Sequence, residues 1–189
     1  MILWRIASET RQYGAADLSG AGAATKPGRW NAIGEAVLYA APTIAMAVLE
    51  TAAHIDDAGL PQNRFVVRID VPEKMWRARI TLGVAALPVT WAAIPAGRAS
   101  VGVGSRWIRE GASALLEVPS VIVPEETVVA LNERGAGLEN RKVVAVALRS
   151  KDDGFVPGDA LEHWIRHRIG CVRRCHESRD REHDPTCCT

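Results

Sequence analysis

The stretch AVLYAAPTIAMAVLE, residues 36–50, changes its structural character at its middle, and the fold follows from that change. Residues 36–40 are a short apolar run of strand length. Pro42 and Thr43 then break the pattern, and Thr43 is a residue type suited to an N-cap. From Thr43 to about Asp57 alanine, methionine, leucine and glutamate dominate, which predicts a helix stopped by Gly59-Leu60-Pro61. Glu50 falls two turns into it and is the one charged side chain between Glu35 and Asp56.

Outward from this stretch, residues 2–7 alternate weakly and read as an opening strand that carries Arg5, while residues 14–28 have no period and read as a long loop. Residues 65–71 alternate apolar and polar positions up to Pro72 and predict a strand; residues 104–114 predict a helix. Residues 115–124 read as two short strand pieces joined at Pro119, with further strands at 128–132 and 143–148. Strands and helices that alternate without a regular βαβ rhythm imply a mixed α+β fold, with mainly antiparallel strands and flanking helices. Residues 1–150 are expected to form one catalytic domain, and residues 151–189 a divergent charged tail, disordered or partly helical.

The composition narrows the function. With 48% hydrophobic residues, 189 residues can bury the core of one ordinary domain. Lys+Arg 23 against Asp+Glu 22 leaves a net charge of +1, so no global field attracts DNA, RNA or an anionic membrane. The longest weakly polar stretch is interrupted by Pro42 and Glu50, short of the roughly 20 apolar residues that span a bilayer. No signal-peptide pattern opens the chain, and a cytoplasmic protein is expected. Cys171, Cys175, Cys187 and Cys188 all lie in the tail, so no disulfide framework staples the presumed core. The tail's Cys171, Cys175, His176, His183, Cys187 and Cys188 match no common closed zinc spacing, and no metal is expected. Gly102-Val103-Gly104 lacks both a third spaced glycine and a following Lys-Ser/Thr, which sets aside Rossmann and P-loop sites.

Two residues carry candidate chemistry, each with an ordinary alternative. On the predicted helix Glu50 shares a face with Thr43, Met46, Ala47, Ala53 and His54, with no lysine or arginine one turn away. A carboxylate in apolar surroundings costs several kcal/mol unless paired and marks a functional site; a solvated Glu on an alanine-rich face is the other reading. Arg29, in Gly28-Arg29-Trp30-Asn31, offers a planar fork suited to phosphate oxygens, with Trp30 available to wall a pocket; an ordinary surface turn with a packed tryptophan is the alternative. Tyr39, on the predicted core strand, reads by itself as a packing residue.

Arg29, Tyr39, Glu50 and Ser120, in this order, resemble the RES domain family. The matching stretches are Leu3-Trp4-Arg5-Ile6, Gly28-Arg29-Trp30-Asn31, residues 37–50, Gly104-Ser105-Arg106-Trp107 and residues 115–125, which together span residues 1 to about 132. The resemblance implies a fold similar to that of the ADP-ribosyltransferase toxins and an enzyme that consumes NAD. It implies the toxin of a toxin–antitoxin pair, held in check by an Xre-type helix-turn-helix antitoxin. In that reading Arg29 pairs with the NAD pyrophosphate and Arg5 adds a second phosphate contact. Tyr39 stacks on the nicotinamide or ribose, and Trp30 and Asn31 complete the binding loop. Glu50 stabilises positive charge on the ribose as nicotinamide departs, and Ser120 bonds the ribose or orients Glu50. The acceptor is water or phosphate, with a protein side chain as the alternative; a weakened module that binds nucleotide or antitoxin is a third reading. After Asn132 the chain departs from the family pattern, where Glu133-Arg134-Gly135 opens the extension.

Overall fold

The computed structural model describes residues 1–53 and 64–132, and the backbone of residues 142–147. The chain divides into two units, Met1–His54 with Asn63–Leu148 and Ile55–Gln62 with Arg149–Thr189, and every described residue belongs to the first. The tail with its cysteines, and the predicted end of the helix at Gly59-Leu60-Pro61, lie outside the described residues.

Two sheets make the frame. Strand β1 (Ile2–Ser8) pairs antiparallel with β3 (Arg64–Asp70), Leu3 opposite Ile69, and β3 pairs antiparallel with β7 (Lys142–Ala147). The second sheet has the order β2-β6-β5-β4, from β2 (Leu38–Ala40), β6 (Thr127–Leu131), β5 (Leu115–Pro119) and β4 (Ile80–Thr81). Its pairs are antiparallel except β4 with β5. A bridge between Trp4 and Ala41 joins the sheets, with reciprocal backbone bonds of 2.8 and 2.7 Å.

Alternation along the strands sorts the core into two layers. Leu3, Ala7, Leu38, Ala40, Val67, Ile69, Leu115, Val129 and Leu131 form a cluster that draws one face from each sheet. The opposite face of the second sheet gives Leu116, Val118, Val128 and Ala130 to a second cluster with Trp30, Met46, Ala47, Trp107 and Ile108. β5 is buried along its whole length, as a central strand covered on both faces must be.

The helices follow local rules. In α2 (Ile44–Ala52) the Thr43 Oγ1 accepts from the Met46 amide at 3.1 Å, the expected N-cap. The helix expected at 104–114 is α4 (Arg98–Glu110), which starts earlier and stops at Gly111. Gly102 and Gly104 in its middle disguised its first turns. Within the expected loop 14–28 lies the five-residue α1 (Ala21–Thr25), and α3 (Glu73–Arg77) lies where no helix was expected. The strand pair expected across residues 115–124 is corrected: β5 ends at Pro119, and the chain turns there because the Ser120 hydroxyl caps the Ile122 and Val123 amides.

Candidate active site

Glu50 stands near the end of α2, and Ser120 directly follows β5. Seventy residues apart in sequence, they meet: Ser120 Oγ donates to Glu50 Oε1 at 2.6 Å. The same Oγ accepts from the Ile122 amide at 3.0 Å and the Val123 amide at 3.1 Å. Two backbone donors therefore fix the hydroxyl so that its proton points at the carboxylate. Ser120 is buried, and its own amide is held by the Glu126 carbonyl at 2.9 Å.

Arg29 lies within electrostatic reach of both Glu50 and Tyr39. Burial pulls its pKa below the ordinary arginine value, and the charge of Glu50 acts in the opposite sense. Its Nη1 donates to the Trp91 carbonyl at 2.7 Å and the Ala93 carbonyl at 2.8 Å. The guanidinium is thus anchored to backbone 62 and 64 residues along the chain.

Asn31 organises the loop that carries Arg29. Its Oδ1 accepts from the Gly28 amide and the Tyr39 hydroxyl, both at 2.8 Å, and its Nδ2 donates to the Ala23, Ala32 and Glu35 carbonyls. The Tyr39 hydroxyl in turn accepts from the Trp30 amide at 3.0 Å. Burial holds the Tyr39 pKa well above the usual phenol value, so the hydroxyl stays a donor to Asn31. The Tyr39 ring lies against Gly28, where a Cβ would come within 2.8 Å of Cε2.

This loop is seated on α4. A Cβ at Gly104 would meet the Trp30 carbonyl oxygen at 1.8 Å, so only glycine admits the loop at that depth. One residue on, Ser105 Oγ donates to Glu35 Oε2 at 2.5 Å, and the same oxygen accepts from the Ala32 amide at 2.8 Å. Arg109 adds an ion pair with Glu35 Oε1 at 3.7 Å.

Three of the expected ligand contacts have partners within the protein. Trp30, 2% exposed, stacks on Trp91 with ring centroids 6.2 Å apart, as part of the core. The Asn31 side chain is fully buried, its amide committed within the protein. Arg5 shares its β1 face with Leu3 and Ala7 and donates to the Asp17 carbonyl at 3.2 Å. Glu35, Gly104 and Ser105, and the Trp91 and Ala93 carbonyls, were not foreseen as parts of the site; Gly104-Ser105 stood among the matching stretches, whereas a backbone carbonyl leaves no mark in a sequence.

A sequence profile of the RES domain matches residues 2–151. The chain belongs to the RES domain family. Among RES relatives, the "Prs ADP-ribosylating toxin" of Sphingobium sp. (strain YBL2) is 48% identical over 143 residues, 74% of this chain and 89% of the relative. A "Toxin Res" of Yersinia enterocolitica is 34% identical over 134 residues, 71% of this chain and 85% of the relative. The MbcT–MbcA toxin–antitoxin complex of M. tuberculosis contains a chain of the same fold, with a TM-score of 0.61 and 17% identity over 87% of this chain and 88% of that one. The mixed α+β architecture expected from the sequence is therefore that of a known RES-type fold.

Among the described residues, no group of three His, Cys, Asp or Glu side chains could hold a metal ion, and no helix is long and apolar enough to cross a membrane.

Proposed function

We propose that this chain is the toxin of a toxin–antitoxin pair and that it consumes NAD by breaking the bond between nicotinamide and ribose. The observation that carries the reading is the Glu50–Ser120 pair. A carboxylate fixed by a buried hydroxyl, itself fixed by two backbone amides, is preorganised to face positive charge as it develops on a sugar. Preorganisation matters because such a group need not rearrange during the reaction.

Arg29 supplies the cation for the pyrophosphate, within electrostatic reach of Glu50. The Tyr39 ring takes the ribose or nicotinamide side while its hydroxyl stays tied to Asn31. Trp30 and Asn31 act from beneath, holding the loop that aims Arg29. Glu50, Arg29 and Tyr39 are the catalytic set, and residues 1–150 carry it. The partner is a helix-turn-helix antitoxin of the Xre type, and the site of action is the cytoplasm, where NAD is abundant.

Two acceptors compete. Water or phosphate gives simple NAD depletion; the name of the Sphingobium relative supports transfer of ADP-ribose to a protein instead. NAD concentration followed over time with purified chain, with and without inorganic phosphate and beside Glu50→Gln, tests the reading. Glu50-dependent loss supports depletion, and acceleration by phosphate identifies a phosphorylase. Label transferred to protein from radiolabelled NAD, without bulk NAD loss, selects the second acceptor. No Glu50-dependent consumption in any arm would overturn the function.

A further inference from the structure

Residues 82–97, LGVAALPVTWAAIPAG, contain no Asp, Glu, Lys or Arg, yet much of this segment faces water. Val89 is 100% exposed and Ile94 83%. Its own fastenings are few. A 3-10 turn at Val84–Ala86 leads to buried Leu87, the Trp91 amide bonds the Pro88 carbonyl at 2.9 Å, and the Trp91 ring stacks on Trp30. Beyond Trp91 the Ala93 amide bonds the Thr90 carbonyl at 3.2 Å, and the Gly97 carbonyl accepts from Val101 and Ser100 of α4. Between these points Arg29 holds the segment through the Trp91 and Ala93 carbonyls.

A guanidinium has five N–H donors in a rigid plane. The two on Nη1 go to the two carbonyls, which leaves the Nε–Nη2 edge, a ready-made fork for a phosphate or carboxylate. Arg29 thus has one side turned to the protein and the other available to a ligand. Charge-assisted bonds of 2.7 and 2.8 Å are roughly twice as strong as neutral ones, strong enough to decide where a lightly fastened loop lies.

We infer that residues 88–97 form a strap latched by Arg29, an uncharged wall beside the substrate position that sets affinity for the dinucleotide, so that Arg29 is a positioning residue for the strap as well as a substrate contact. The role of the wall rests on the NAD reading; the latch does not. An apolar wall keeps water from the Arg29–Glu50 group, and lower local dielectric strengthens what both charges do. It adds no charge of its own to compete with Glu50 or Arg29.

Backbone amide hydrogen exchange on the full chain, without any nucleotide, tests the latch. Arg29→Ala is expected to speed exchange at the Trp91 and Ala93 amides, which bond the Pro88 and Thr90 carbonyls, about tenfold or more while the β5 and β6 amides keep their wild-type rates. Equal strap exchange in the two proteins would overturn the latch, whatever the chain does to NAD. Steady-state kinetics of Ile94→Asp test the wall, since this exposed site can be changed without loss of core packing. A carboxylate there is expected to raise KM for NAD at least fivefold. An unchanged KM would remove the wall from the proposal, and an absence of NAD consumption by wild type would instead count against the function proposed above.

Discussion

Glu50 carries the negative charge of the proposed site, and the Ser120 hydroxyl fixes where that charge sits. Glu50→Gln keeps the shape and removes the charge, so NAD consumption should fall by about 10²-fold or more with thermal stability retained, the range seen when one preorganised electrostatic group is lost. Ser120→Ala keeps the charge and releases it, while the Ile122 and Val123 amides lose their acceptor. Its kcat should fall less, on the order of tenfold, accompanied by a lower melting temperature. A Ser120→Ala loss equal to that of Glu50→Gln would mean that the hydroxyl acts on the substrate directly. Tyr39 presents a different balance, because its hydroxyl both accepts from Trp30 and donates to Asn31. Tyr39→Phe orphans a buried amide and should cost about 1–3 kcal/mol in urea unfolding. Little of this geometry was legible in the chain. The resemblance brought Arg29, Tyr39, Glu50 and Ser120 together, but spacing alone could not say that Ser120 donates to Glu50 across 70 positions. Nor could it say that Trp30 and Asn31 would be spent on packing and loop closure.

Elements defined by local rules were readable, and those defined by neighbours were not. The start of α2 followed from Thr43 because a cap is a property of three or four consecutive residues. The start of α4 was hidden because Gly102 and Gly104 lower helix propensity, and Gly104 is there for its contact with the Trp30 loop. That contact makes a test at this scale. Gly104→Ala drives a methyl into the Trp30 backbone, and the loop bearing Arg29 must move, so the variant should lose about 1–3 kcal/mol and most NAD turnover together. Stability lost with turnover intact would show that the seating of the loop on α4 does not govern Arg29. Glu117 makes a second test, because it joins β4, β5 and β6 through Arg79 at 2.6 Å, Thr81 at 3.0 Å and Thr127 at 3.1 Å. Burial would raise its pKa, but the bonds from Arg79, Thr81 and Thr127 and the charge of Arg79 outweigh it and hold the value below the ordinary 4.5. A carboxylate with a depressed folded pKa contributes stability that is fully present above its unfolded value and lost as the pH falls through the folded one. The stability gap between wild type and Glu117→Gln in urea melts should therefore be widest above about pH 5 and narrow as the pH drops below about 4. A gap independent of pH would mean that the ionised form is not what holds the strands.

At the scale of the whole molecule, the frame was legible as a class and its connections were not. Alternating strands with irregular helices implied a mixed fold, but the order β2-β6-β5-β4 and the parallel β4 depend on which strand edges meet, which no local pattern encodes. The short β4 and the uncharged segment that follows it have no period to read. The site rests on this frame because α2 brings Glu50, the turn after β5 brings Ser120, and the 28–31 loop brings Arg29 with the 88–97 segment attached to it. All of these lie within residues 1–132, and the RES profile reaches residue 151. From these positions a stop codon after residue 151 should leave the proposed catalytic set whole. The shortened chain is expected to consume NAD with kcat/KM within about threefold of the full chain, and to melt within a few degrees of it, because a ΔΔG near 1 kcal/mol shifts Tm by only about 2–8 °C in domains of this size range. Calorimetry and NAD kinetics on the two chains decide the matter together. A shortened chain that unfolds would make residues 152–189 part of the fold; one that melts normally but loses turnover would make them part of the site, and the catalytic unit would then extend past the frame that the two sheets define.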